Sequence, residues 1–186
     1  MSMFSRRSFL MGAGASTALA AGCSNGLGSN GANTIDARVD ATREYLFGRY
    51  PGTLELSQKA RGILWMPLIT KAGFMVGGAY GRGALRIDDV TVDYYSAAQA
   101  TIGFQIGAQQ YAHALFFMTD EALRDFRYSA GWSAGADMEY AVKDQAGNIS
   151  AETLTALDPV IALVFGQAGL ILGATLEGTK YTRIIP

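Results

Sequence analysis

The residue with the most specific chemistry in this sequence is its single cysteine, Cys23. Ahead of it come a twin-arginine pair, Arg6 and Arg7, and an uncharged apolar stretch over residues 10–21. This order is typical of a bacterial export signal. The place of Cys23 directly after Ala21 and Gly22 resembles a bacterial lipobox, in which the thiol is lipidated. We therefore predict that residues 1–22 are a signal peptide and that acylated Cys23 becomes the N-terminus of the mature chain. Cleavage nearby, with an incidental cysteine, is the alternative.

The sequence offers little for catalysis or metal binding. His113 is the only histidine and stands between two alanines on a predicted strand, where a packed or surface imidazole is the usual case. One histidine and one cysteine are too few for a zinc site. Asp88, Asp89 and Asp93 carry oxygens that suit calcium, but a turn between two strands explains the first two. We predict a protein that is not an enzyme and holds no metal or cofactor; an unrecognised hydrolase is the least favoured alternative.

Composition indicates one mildly acidic domain. With 186 residues and 49% hydrophobic content the chain can bury one core, and 23 glycines against four prolines favour a turn-rich β protein over a disordered one. The formal net charge is -1, and it becomes -3 when residues 1–22 are removed, because that segment carries two arginines and no acid. Such a charge predicts no nucleic-acid partner.

The chain repeats one seven-residue pattern four times: Gly, apolar, any, apolar, Gly, small, any. The copies are residues 73–79, 103–109, 131–137 and 169–175. Their large apolar side chains lie two positions apart, which is the alternation of a strand with one buried face. The glycines weaken a strand but let it bend, bulge or approach another backbone closely. We therefore predict bent strands, with a core that includes Phe74, Phe104, Ile106 and Leu172 and a bend at Gly107.

Membrane-spanning helices are the alternative interpretation of this pattern, since Gly-x-x-x-Gly also marks helix-packing faces. A spanning helix needs about 20 apolar residues. The first three copies have charges too close, among them Lys71, Arg82 and Asp137. The fourth lies in an uncharged stretch, residues 160–176, but this stretch is short and contains Gln167. Buried strands are therefore favoured.

Helices are predicted before and between the copies. Thr34 is a predicted N-cap for a first helix, Thr53 for a second short one, and Thr119 for a helix over residues 120–127. The fold class predicted is α+β: a curled antiparallel sheet or small β-barrel built from four Gly-rich bent strand units, with N-terminal helices and one helix packed on the sheet.

The predicted domain organisation has three parts. Residues 1–22 are the signal peptide, and residues 23–33, rich in Gly, Ser and Asn, form a flexible tether. Residues 34–186 form a single domain.

Several ordered blocks of the sequence resemble the SYLF domain family. They are Lys71-Ala72-Gly73-Phe74, Tyr94-Tyr95-Ser96, the copy at residues 103–109, Phe117-Met118-Thr119-Asp120-Glu121-Ala122-Leu123, and Leu176-Glu177-Gly178-Thr179. The likeness covers about residues 54–185 and is specific, because the blocks match in order and spacing. It implies a lipid-binding module; in eukaryotic relatives the family is associated with phosphoinositide membranes and actin.

Five residues are candidates for contact with a lipid surface. Lys71, Arg82, Arg86 and Lys180 lie beside the copies, where cations can engage phosphate head groups. Trp132 suits a boundary between apolar and polar surroundings. The structural alternative for each is ordinary: charges beside strands are usually solvated, and tryptophans usually belong to the core.

The function predicted from these observations is a membrane-anchored, non-catalytic, lipid-binding accessory module of the bacterial cell envelope. Its partner is the phospholipid membrane, reached through the acyl anchor and weak head-group contacts. A structural envelope lipoprotein that binds a protein partner is the alternative. The chain is predicted to be exported and anchored to the outer membrane facing the periplasm, because Ser24 rather than an inner-membrane retention aspartate follows Cys23.

Overall fold

The described part of the chain consists of one β-sheet with helices packed on both of its faces. The computed structural model covers residues 30–103, 108–135, 140–142, 158–166, 169–170 and 176–186, with the backbone alone at 74–75, 101–103, 108, 140–142 and 169–170. The helices are α1 (Gly31–Arg49), α2 (Gly52–Lys59) and α3 (Asp120–Tyr128). The strands are β1 (Gly62–Ile87), β2 (Val90–Gly103), β3 (Ala108–Phe117), β4 (Trp132–Ser133), β5 (Tyr140–Val142), β6 (Val160–Gly166), β7 (Gly169–Leu170) and β8 (Lys180–Ile184).

The sheet has the order β4-β8-β2-β1-β3-β6-β5, and β7 pairs with β6. Neighbouring strands are antiparallel except β5 and β6, which are parallel. The prediction of an α+β fold with a curled antiparallel sheet is confirmed. Over the described residues the sheet is an open half-barrel that ends at β4 and β5, rather than a closed barrel.

The curl is produced by β1, a 26-residue strand that bends back over itself. In a straight strand Gly73 and Gly77 would be about 13 Å apart, yet a Cβ at Gly73 would overlap the Cα of Gly77. Beyond this bend, Gly81 and Gly83 pass directly over the first half of the strand: a Cβ at Gly83 would overlap the carbonyl oxygen of Trp65. The first half pairs with β3 and the second with β2, so one strand serves both halves of the sheet.

The curled sheet buries side chains on both faces. The inner, concave face and α3 enclose one cluster, which includes Leu64, Met66, Leu85, Tyr95, Leu115, Phe117, Phe126, Trp132, Val164 and Tyr181. On the outer face α1 and α2 bury Ile35, Val39, Leu46 and Leu56 against Trp65, Ala84, Ala114, Phe116, Leu163 and Phe165. Members of the two clusters alternate along β3 and β6, as expected for strands that are covered on both sides.

Polar contacts fix the position of α1 on the outer face. Arg86 donates from Nη1 to Asp40 Oδ1 at 2.6 Å, and the Arg86 side chain is only 9% exposed. Asp36 accepts from the hydroxyls of Thr91 at 2.9 Å and Tyr94 at 2.7 Å. Burial, followed by this hydrogen bond, raises the pKa of Tyr94 to about 12, so its hydroxyl remains a donor at neutral pH.

Several local predictions are confirmed. Asp88 and Asp89 form the turn between β1 and β2; both have positive φ (49° and 64°), as a two-residue hairpin turn requires. Thr119 caps α3, since its side chain accepts from the backbone N–H of Ala122 at 3.2 Å. The uncharged stretch at residues 160–176, for which buried strands were favoured, begins with β6, whose residues 160–165 are buried.

The caps predicted at Thr34 and Thr53 are wrong. α1 begins at Gly31, four residues before the first helical residue that a cap at Thr34 predicts, and the Thr34 hydroxyl donates back to the Asn30 carbonyl at 2.9 Å instead of capping. Likewise the Thr53 hydroxyl donates to the Tyr50 carbonyl at 2.6 Å, inside a helix that starts at Gly52. Residues 31–33, predicted to belong to the tether, are therefore helical.

Other predictions concern residues outside the described part of the chain. These are residues 1–29, Gly107, and the side chains of Phe74, Phe104, Ile106 and Leu172. Within its described residues, 131–135, the third copy of the repeat forms a two-residue strand, β4, between glycines of positive φ at Gly131 and Gly135.

The close crossing within β1 predicts that Gly83→Ala destabilises the fold. The added Cβ meets backbone, which cannot rotate away, so the free energy of unfolding should fall by about 2–4 kcal/mol. Gly48→Ala is the matched control, because nothing lies within 4 Å of its added Cβ and α1 should gain about 0.5–1 kcal/mol. Urea unfolding followed by circular dichroism measures both, and equal stability of the two variants would contradict the crossing.

Candidate lipid-facing surface

Beyond the helices, part of the outer face of the sheet is uncovered. Ala84 is fully buried under the helices, but Tyr80, four residues earlier on the same side of β1, is 55% exposed. We call the uncovered region the distal face. It comprises the outward positions Val76, Gly78, Tyr80 and Arg82 of β1, Ser96, Ala98 and Ala100 of β2, and Lys180 and Thr182 of β8.

Strand register brings the cations of the distal face together. Tyr80 pairs with Ala98, which pairs with Lys180 on the next strand. In the adjacent row Arg82 pairs with Ser96, which pairs with Thr182. Adjacent rows on one side of a sheet are about 7 Å apart. Arg82 and Lys180 therefore flank the same small area, although 98 positions separate them in sequence.

The distal face is largely apolar, and most of its side chains are small. Val76 is 73% exposed, and with Tyr80 it is one of two large apolar side chains there. Gly78, Ala98 and Ala100 are exposed and carry at most a methyl group. A surface of small residues with a few projecting apolar groups suits contact with an extended surface better than with a small molecule.

The electrostatics of the distal face are one-sided. None of its nine positions is Asp or Glu. Within the described residues, Arg82 and Lys180 form no ion pair, whereas five other arginines do: Arg43, Arg61, Arg86, Arg127 and Arg183. Unpaired cations at an apolar surface are available to an anionic ligand.

Carboxylates are concentrated at the opposite end of β1 and β2. Asp89 pairs with Arg43 at 2.6 Å. Asp93 is shared by Arg127 at 3.1 Å and Arg183 at 2.7 Å. Two of the three aspartates considered for calcium are thus ion-paired with arginines. Nor do three or more His, Cys, Asp or Glu residues meet in a metal-binding group anywhere in the described ranges.

The five predicted lipid contacts do not form one site. Arg82 and Lys180 lie on the distal face, but Lys71 shares the side of β1 that carries Ile69 and so belongs to the inner face. Arg86 is buried against Asp40, and Trp132 is 4% exposed in the inner cluster. The sequence analysis missed Val76 and Tyr80; their position on the same side of β1 as Arg82, six and two residues before it, was the available signal.

Residues 131–135 read Gly-Trp-Ser-Ala-Gly, a Gly-x-Ser-x-Gly sequence that the sequence analysis overlooked. In hydrolases such a serine lies on a turn from a strand into a helix, with a histidine nearby. Here Ser133 lies within β4 and pairs with Lys180 on the outward side. His113 is on the inner side, where its Nε2 lies 2.9 Å from the Tyr181 hydroxyl. The serine and the histidine are therefore on opposite faces of the sheet.

The membrane anchor predicted at Cys23 lies outside the described residues. Among the helices that are described, none combines the length and the apolar character needed to cross a bilayer.

The buried His113 predicts acid sensitivity. Burial lowers its pKa from 6.5 to about 3, so the folded state stays unprotonated where the unfolded chain binds a proton. This titration therefore leaves the free energy of unfolding unchanged well above pH 6.5. Below pH 6.5 it lowers the free energy of unfolding by about 1.4 kcal/mol per pH unit, down to the folded pKa. His113→Gln removes this titration, so the difference in unfolding free energy between wild type and variant should change with pH between 7 and 4. A constant difference would show that His113 is not buried as a neutral group.

A comparison of the sequence with known protein families finds a match to one family model. Residues 98–183 match the family model described as Ysc84, a Las17-binding protein actin regulator. The matched segment runs from β2 to β8 and contains part of the distal face, including Lys180. No curated protein matches the chain.

Proposed function

We propose that this chain, which carries a domain of the Ysc84 (SYLF) family, is a non-catalytic lipid-binding accessory module held on a bacterial envelope membrane. The observation that carries the proposal is the distal face, where Arg82 and Lys180 flank exposed apolar side chains and no acid is present. The proposed location follows from the sequence: export, acylation of Cys23, and attachment to the outer membrane on its periplasmic side.

Bulk charge argues for a local contact. A mature chain of net charge -3 is not drawn to an anionic membrane as a whole. At physiological ionic strength charges more than about 8 Å apart are largely screened. Only cations that touch the surface then count, each contributing about 1 kcal/mol. Two such cations give weak, salt-sensitive binding.

An acyl anchor makes weak binding sufficient. A chain attached through Cys23 stays at the surface at high effective concentration, so the distal face need only orient the domain. Weak binding of this kind suits the described residues, among which five arginines are already paired with carboxylates.

The lipid contact predicts a specific charge dependence. In a soluble form starting at Ser24, Arg82→Ala with Lys180→Ala should lower partition into phosphatidylglycerol vesicles by up to about 30-fold, which corresponds to two cations at about 1 kcal/mol each. Flotation at low and high salt measures this, and wild-type binding should weaken as salt rises. The matched control is Arg49→Ala with Lys59→Ala, which removes two exposed cations from the helices and should have little effect.

Two outcomes would count against the proposal. If the folded Arg82/Lys180 double variant floats as well as the control, the head-group site is wrong. If the wild-type protein floats with none of the lipids tested, binding to a protein partner becomes the better supported function. That second candidate is favoured by the family description, which names a protein partner.

The anchor is tested separately through Cys23→Ser. In cells that express the full chain, this variant should move from the membrane fraction to the soluble fraction, because no acyl chain can be attached. Mass spectrometry of the wild-type N-terminus should show the lipid on Cys23. An unchanged membrane fraction for the variant, together with an unmodified wild-type cysteine, would exclude acylation.

A further inference from the structure

Tyr80 stands out on the distal face because its neighbours are small. Across the strands it is flanked by Ala98, and along β1 by Gly78 on the same side. Its ring therefore projects beyond the small side chains around it, and Tyr80 is 55% exposed. A tyrosine ring is apolar with a polar tip, which is the composition favoured at the boundary between head groups and acyl chains.

We propose that the distal face lies flat on an anionic bilayer, with the ring of Tyr80 and the side chain of Val76 at the polar-apolar boundary and with Arg82 and Lys180 at phosphate level. This inference rests on the proposed function and specifies which surface performs it. It assigns the contact to the outer face of a β-sheet, and it makes the ligand the bilayer interface rather than a free head group.

Charge and clustering distinguish this face from the exposed apolar residues Val90, Val92 and Tyr128. Val90 is 63% exposed, but it directly follows Asp88 and Asp89 in the turn. Val92 adjoins Asp93, so an anionic surface would be repelled at both valines. Tyr128, the last residue of α3, is a single exposed ring, and the turn before it carries both signs, Arg124 and Asp125. The distal face combines exposed apolar groups with cations and lacks acids.

The helices do not provide a comparable surface. The exposed side of α1 carries both signs, including Arg38 and Glu44. Its apolar residues Ile35, Val39 and Leu46 are already buried against the sheet. A basic amphipathic helix that lies in the membrane interface would show its apolar side to solvent in the absence of lipid.

The two native tryptophans permit a direct test. Trp65 is 1% exposed and Trp132 is 4% exposed, so both should be shielded from lipid. Tyr80→Trp introduces an exposed indole on the distal face. Tyr128→Trp is the matched control, since Tyr128 is 86% exposed but lies on α3. Each variant, in the soluble form starting at Ser24, is mixed with vesicles of phosphatidylglycerol and brominated phosphatidylcholine, and binding is measured in parallel by flotation.

The expected result is a blue shift and strong quenching for Tyr80→Trp, with neither change for Tyr128→Trp, when both proteins float. If the proteins float but lipid quenches the tryptophan at position 128 alone, at both positions or at neither, the assignment of the distal face is wrong. Lipid binding itself would still hold. Failure of both variants and wild type to float would overturn the proposed function itself. A blue shift of Tyr80→Trp without vesicles that grows with protein concentration would indicate a second copy of the chain on this face and would also contradict the proposal.

Discussion

The contact on which the rest of the structure depends is the crossing of β1 over itself. Gly81 and Gly83 lie so close to the carbonyl oxygens of Leu68 and Trp65 that no side chain fits between them. Because β2 and β3 pair with opposite halves of this strand, the crossing determines how the whole sheet curls. The inner cluster fills the space that the curl encloses. Backbone contact of this kind is available only to glycine.

The curl leaves an outer face that α1 covers only in part. The helix is held where Asp36 and Asp40 meet Thr91, Tyr94 and Arg86. These polar contacts concentrate the acids of the outer face near the Asp88–Asp89 end of the hairpin. The remaining outer face, on β1, β2 and β8, carries Arg82 and Lys180, which are unpaired within the described residues, and the exposed Val76 and Tyr80. Docking of one helix therefore divides the outer face of the sheet into a covered part and an uncovered part.

Local signals predicted the elements better than their ends. Alternation identified the strands, and the Asp88–Asp89 turn and the Thr119 cap depend on side chains within a few residues, which sequence displays directly. Thr34 and Thr53 show the limit, because a threonine hydroxyl can bond back to a carbonyl four or three residues earlier as readily as it caps. The 26-residue length of the strand that contains the first copy was also missed, since the crossing that bends it is a contact between residues far apart in sequence.

The candidate site shows why a set of cations cannot be sorted from sequence alone. Arg82 and Arg86 lie on the same side of the same strand, four residues apart, and alternation treats them alike. Their surroundings differ because α1 passes over one and not the other: Asp40 neutralises Arg86, and no described carboxylate pairs with Arg82. Only the tertiary structure shows where α1 stops covering the outer face of the sheet. An acidic protein can thus present a locally basic, apolar surface, because what an approaching membrane meets is the few unpaired side chains within screening distance and not the total charge.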